Sequence, residues 1–244
     1  MDKISENGRE NPTLKISELN MTPILLAAIL GFIVMAIILI LRRRSLGRRD
    51  FLLIGLSESG KSAIFMQMLH NKFPDTFTSI TENVGEYHSG RMSGRLVDIP
   101  GHYRVRDKCF DQYKRSAKGI IFVVDSVTVQ KEVRDVADAL YSVLTDPATL
   151  ACPFLVLCNK QDLSTSKGAQ VIKSILEKEM NIVRVTRSRK LQSVGEEDGS
   201  KPVFLGKEGK DFEFSHIQQN VQFDESSAKE NQLNNLSDWI DRML

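Results

Sequence analysis

The chain has 244 residues, with 33 basic and 31 acidic side chains and a formal charge of +2. That balance does not mark the whole chain as a polyanion binder, because its basic excess sits largely in one short cluster. Three cysteines, Cys109, Cys152 and Cys158, show no metal-ligand spacing and are too few for a disulfide scaffold, which fits a reducing compartment.

Residues 1–23 form a short polar segment, and Ile24–Leu41 then runs without a polar or charged side chain. At about 1.5 Å per residue this run would make a helix of roughly 27 Å, enough for a thin bilayer. A core helix of a soluble domain is rarely apolar all round. A cleaved signal peptide fits poorly, since the run follows a long polar stretch, lacks a small-residue cleavage site and ends in Arg42-Arg43-Arg44. The expectation is one transmembrane signal-anchor helix over 24–41. Arg42, Arg43, Arg44, Arg48 and Arg49 crowd its far side over 42–49, whereas residues 1–20 carry Lys3, Arg9 and Lys15 against four acids. Positive charge stays cytosolic, so the N-terminus should be lumenal and residues 50–244 cytosolic. The sequon Asn20-Met21-Thr22 lies too near the bilayer to be used.

Phe51–Ile54 reads as a buried strand and Ala63–Leu69 as a helix, with Gly55-Leu56-Ser57-Glu58-Ser59-Gly60-Lys61-Ser62 between them. The spacing is that of a phosphate loop, in which backbone N–H groups and a helix N-terminus converge on a polyphosphate. Lys61 would reach the β- and γ-phosphates, and Ser62 would ligate Mg²⁺. Strands are expected near 86–92 and 95–98, the second ending in Asp98-Ile99-Pro100-Gly101. An acid there can hold Mg²⁺ through water, and Gly101 leaves its N–H for the γ-phosphate.

Gly119–Asp125 has the continuous apolar character of a central parallel strand, and Val133, Val136, Leu140 and Leu144 share a helix face. A strand at 153–158, in which Cys158 is a small core residue, enters Asn159-Lys160-Gln161-Asp162. The aspartate can accept two hydrogen bonds from N1–H and N2–H₂ of guanine, donors that adenine lacks. The Lys160 stem can lie along the base, and Asn159 can tie loops together. Residues 184–211 turn polar and read as a surface-loop insertion, whose basic run 184–190 is a solvated face rather than a contact for RNA or lipid. A strand at 217–223 precedes Ser226-Ser227-Ala228-Lys229, whose backbone could meet guanine O6. Leu233, Leu236, Ile240 and Met243 make a final helical stripe, with Trp239 packing beside it.

With these four motifs in order, residues 50–244 resemble the small GTPase superfamily, and within it the family of signal recognition particle receptor beta subunits. The Arf and Sar GTPases are relatives whose phosphate loop also begins Gly-Leu. The resemblance implies an α/β P-loop GTPase domain, with a mainly parallel sheet flanked by helices, that binds GTP and Mg²⁺. It also implies a switch-loop threonine closing on Mg²⁺, for which Thr81 is first choice and Thr78 second. Where many relatives carry a water-orienting glutamine, this chain has His102, so intrinsic hydrolysis should be slow. Arg104 and Arg106 read as surface switch residues rather than as an arginine finger. The partner implied is the receptor's alpha subunit, held by the GTP state at the endoplasmic reticulum for co-translational targeting, with signal recognition particle and ribosome linked only indirectly. The alternative is a cycling Arf/Sar-type GTPase of membrane traffic. The Met1-Asp2 start offers no myristoylation site, and a spanning helix does not release on hydrolysis, which favours the assembly role.

Overall fold

The computed structural model describes residues 29–36, 48–73, 79, 81–194 and 204–244. Residues Met1–Leu46 and Gly47–Leu244 form two separate units. In the first, residues 29–36 are helical (α1), and residues 29–35 are exposed. Among the described residues no helix is long and apolar enough to cross a membrane. The remainder of the expected span 24–41 lies outside them.

The second unit is built on strands β1 (Asp50–Ile54), β2 (Asn83–Ser89), β3 (Met92–Asp98), β4 (Ala117–Asp125), β5 (Phe154–Asn159) and β6 (Val221–Glu225). Their order in one sheet is β2-β3-β1-β4-β5-β6. Only the β2–β3 pair is antiparallel. Helices α2 (Lys61–His70), α3 (Tyr103–Tyr113), α4 (Val133–Leu144), α5 (Ala169–Val194) and α6 (Asn234–Asp241) connect and cover the strands. The continuous apolar runs of β1, β4 and β5 follow from this arrangement, because each strand is buried on both faces. In β4, Ile120, Phe122 and Val124 pack with α3, α4 and α5, whereas Ile121 and Val123 pack with α2 and α6. Trp239 of α6 is buried, edge-on to Phe51 at 6.4 Å between ring centroids. A Cβ at Gly119 would come within 2.9 Å of its ring. Cys158 lies fully buried, and burial pushes its thiol up to about 12, which makes it a core residue rather than a nucleophile.

Four elements depart from the sequence reading. The hairpin turns at Gly90-Arg91, with Gly90 at φ 59°, so β2 is Asn83–Ser89 and β3 Met92–Asp98 instead of 86–92 and 95–98. The last strand is Val221–Glu225 and follows a 3₁₀ turn at Phe214–His216. The surface loop expected from 184 is corrected as well: α5 continues to Val194, and Arg184 is buried, not solvated. Its guanidinium donates to the carbonyls of Leu205, Lys207 and Lys210 and lies over the rings of Phe204 and Phe212. Arg187 is likewise committed, to Asp138 on α4 at 2.6 Å.

Candidate nucleotide site

The phosphate loop leaves the buried end of β1 and enters α2 through backbone that only certain residues adopt. Gly60 stands at φ 91° as N-cap of α2, and no side chain caps that helix. Its first-turn N–H groups are therefore left for an external anion. A Cβ on Gly60 would meet Asn159 Nδ2 at 2.2 Å, and one on Gly101 would meet the Ser57 backbone nitrogen at 2.4 Å. Both glycines thus permit the loop to be approached closely from two other motifs.

A cleft of about 280 Å³ is lined by Ser57, Glu58, Gly60, Lys61, Asp98 and Gly101, together with Ser62 and Ser79. Lys61 is buried, and its Nζ donates to the Leu56 carbonyl at 2.5 Å and to Ser59 Oγ at 3.3 Å. Burial lowers its ammonium to about 8, against the opposing pull of Asp98. Asp98 is fully buried, and burial raises its carboxyl despite donors from Ser62 Oγ at 2.6 Å and Asn83 Nδ2 at 3.1 Å. Both donors reach Oδ2, while the buried Oδ1 has no partner. An unpaired carboxylate oxygen beside a serine hydroxyl is a donor set that fits a hard divalent cation.

Two hydroxyls of the expected switch segment differ in where they lie. Thr81 is exposed and does not line the cleft, and Thr78 lies outside the described residues. Ser79 Oγ lies 3.0 Å from Ser62 Oγ. His102 is exposed as N-cap of α3 and stacks on Tyr103 at 4.8 Å. A larger groove of about 1030 Å³ begins at Leu56, Ser57 and Gly101 and passes His102 and Arg106 toward α4 and α5.

The base-reading loops are assembled by one asparagine. Asn159 Nδ2 donates to the Ser59 carbonyl at 3.0 Å, and its Oδ1 accepts from the Ala228 backbone at 3.2 Å. This buried amide joins the phosphate loop to the segment Ser226–Lys229. Ser227 Oγ donates to Asp162 Oδ1 at 2.8 Å and so orients the carboxylate expected to read guanine. Lys160, at φ 70°, is held by Asp125 Oδ2 at 2.6 Å. Ala63 is buried in α2, and Lys229 is exposed. Sequence reasoning missed Ser79, Asn83 and Asp125. Asp125 did carry a signal, an acid closing the most apolar strand of the chain. Asn83 carried none until the hairpin turn was placed.

A phosphate loop, a D-x-x-G loop and an asparagine-tied base loop at the carboxyl ends of a mainly parallel sheet define a P-loop GTPase. The family model described as "Signal recognition particle receptor beta subunit" matches residues 47–221. Similar proteins include the receptor beta subunit of Rattus norvegicus, 44% identical over 76% of this chain and 71% of that one. The Homo sapiens subunit is 41% identical over 85% and 79%. The mammalian receptor structure is 40% identical with a TM-score of 0.72, covering 80% of this chain and all of that one. The receptor SRb-GTP/SRX complex from Chaetomium thermophilum shares the fold, with a TM-score of 0.64 at 20% identity over 80% and 100%. The chain belongs to the signal recognition particle receptor beta subunit family.

Proposed function

We propose that this chain is a membrane-anchored GTP-binding subunit whose GTP state holds the receptor's alpha subunit at the endoplasmic reticulum for co-translational protein targeting. The observation that carries the reading is the Asn159 bridge. It ties the phosphate loop to the base loop, so a single guanine nucleotide would engage both ends of the site. Family membership supports the choice of partner, and the apolar run 24–41 supports the anchor.

In this reading the loop N–H groups and Lys61 bind the phosphates, with the lysine exchanging its contact to the Leu56 carbonyl for phosphate oxygens. Ser62, Ser79 and Asp98 would hold Mg²⁺, and a bound Mg²⁺ supplies charge neutralisation at the transferring phosphoryl group. The Asp162 carboxylate accepts from guanine, held in place by Ser227. Gly101 lines both the nucleotide cleft and the large groove, so a γ-phosphate that orders this loop would reshape the groove. His102 is exposed and committed to Tyr103. An imidazole there positions attacking water less well than a carboxamide, so the GTP state is long-lived.

The test is capture of the alpha subunit by the full chain loaded with GTP, with GDP or with neither. Capture should require GTP and outlast many typical turnover times, and Ser79→Ala should weaken it more than Thr81→Ala. Equal capture in all three states would overturn the switch. Rapid release from unaided GTP-loaded protein would favour the cycling Arf/Sar-type alternative.

A further inference from the structure

We infer that Asn83 is a positioning residue for the Asp98 carboxylate, so that the register of the β2–β3 hairpin is itself part of the cation site. The inference rests on the reading of Ser62 and Asp98 as Mg²⁺ ligands. Asn83 and Asp98 are directly opposite in the antiparallel ladder, which runs on to Ser89 opposite Met92. Directly opposed residues share a face and lie close enough for side chains to meet. Here Asn83 Nδ2 donates to Asp98 Oδ2 at 3.1 Å.

The chemistry of that donor matters. Ser62 Oγ also donates to Oδ2, at 2.6 Å, but Ser62 is the residue whose oxygen would turn to the cation. Among the described residues, Asn83 Nδ2 donates to Asp98 and to no other side chain. Its NH₂ group cannot ligate a cation, so it fixes one carboxylate oxygen without competing for the ion. The buried Oδ1 stays without a hydrogen-bond partner. Losing the partner that orients a cation-holding carboxylate commonly lowers metal affinity 10–100-fold.

The same residue reports on the switch segment. Ser79, which reaches Ser62, lies four positions before Asn83. Between them Glu82 accepts from Tyr113 Oη at 3.4 Å and Cys109 Sγ at 3.6 Å, both on α3. A one-residue slip of β2 would turn Asn83 to the opposite face and release Asp98. The register does not depend on Asn83, however. Tyr87 Oη donates to Asp241 Oδ1 at 3.1 Å, and a Cβ at Gly85 would strike Leu69 at 2.2 Å. Removing the Asn83 amide should therefore leave the hairpin in place and disturb only the carboxylate.

The experiment follows release of a fluorescent GDP from the detergent-solubilised full chain across a range of free Mg²⁺. Wild type should release more slowly as Mg²⁺ rises. Asn83→Ala should move the midpoint to about tenfold higher Mg²⁺, with release in EDTA close to wild type. Asn83→Ser, too short to span to Asp98, should match it and serves if the alanine variant folds poorly. An unchanged midpoint, or equal acceleration with and without Mg²⁺, would overturn the positioning role. Wild-type release that ignores Mg²⁺ would instead overturn the cation reading on which this inference stands.

Discussion

An ammonium group moved out of water must recover its lost hydration from a partner of opposite charge. Lys61 hydrogen-bonds to a carbonyl and a hydroxyl, and despite the pull of Asp98 burial lowers it to about 8 from an ordinary 10.5. The sign follows from linkage. Between about 8 and 10.5 the unfolded chain keeps a proton that the folded domain has lost, so stability without nucleotide rises with pH across that window. Below it both states are protonated, and the cost is present in full, roughly 3 kcal/mol. Lys61→Met keeps the apolar stem and removes the charge. Without nucleotide it should raise the domain's stability by about 2 kcal/mol near neutral pH and flatten the rise above pH 8. Added GTP should then give none of the stabilisation that a bound ligand confers. Thermal unfolding with and without GTP checks both parts. A variant less stable than wild type without nucleotide would mean that Lys61 is a structural cation rather than one held for phosphate.

One buried charge at the start of β1 ties together the middle of β3 and the approach to β4. Asp50, fully buried in β1, accepts from Arg95 Nε and a terminal guanidinium nitrogen of β3, each at 2.7 Å, and from Ser116 Oγ before β4 at 2.5 Å. Arg95→Ala strands that carboxylate and should cost about 3–5 kcal/mol. The double variant Asp50→Asn with Arg95→Met should recover most of the loss, because no unpaired charge remains. Urea unfolding reads both, with an unchanged slope marking an effect on the native state. Asp50 and Arg95 also show what was legible in the sequence. The strands β1, β4 and β5 announced themselves because burial on both faces demands an unbroken apolar run. Their polar ends did not, since a charge at a strand terminus reads as solvated until its partner is known. Arg184 misled for the same reason. The stripe Ile172, Leu176, Met180 and Val183 marks α5, but an arginine that satisfies three carbonyls of a later loop looks like the start of a surface segment. Helix α3 offered little, with only Cys109 and Phe110 buried along it. The four loops that converge in the structure stood out in the sequence because a loop built to take a phosphate or a guanine would tolerate few residue types. The positions that hold them, Asn83 and Asp125, depend on register and on a neighbouring strand.

At the scale of the whole chain the two units have opposite relations to water. The unit Gly47–Leu244 has buried apolar cores on both faces of its sheet. In α1, Ile29, Leu30, Phe32, Ile33, Val34 and Met35 are 48–76% exposed. Leaving such surface in water costs about 25 cal/mol per Å², and these residues belong to an 18-residue apolar run followed directly by three arginines. A bilayer removes that cost without any protein partner. The double variant Leu30→Asp with Ile33→Asp tests this, because each aspartate near the centre of a spanning helix costs about 2.5–3.5 kcal/mol. After alkaline carbonate treatment of membranes carrying the full chain, wild type should stay in the pellet. The variant should pass largely into the supernatant. Its thermal shift with GTP should match that of wild type, since residues 47–244 have a core of their own. Wild type found in the supernatant would overturn the anchor. A variant that leaves the membrane and also loses its response to GTP would mean that the two units are energetically coupled, and nucleotide binding would then have to be measured on the membrane-bound chain.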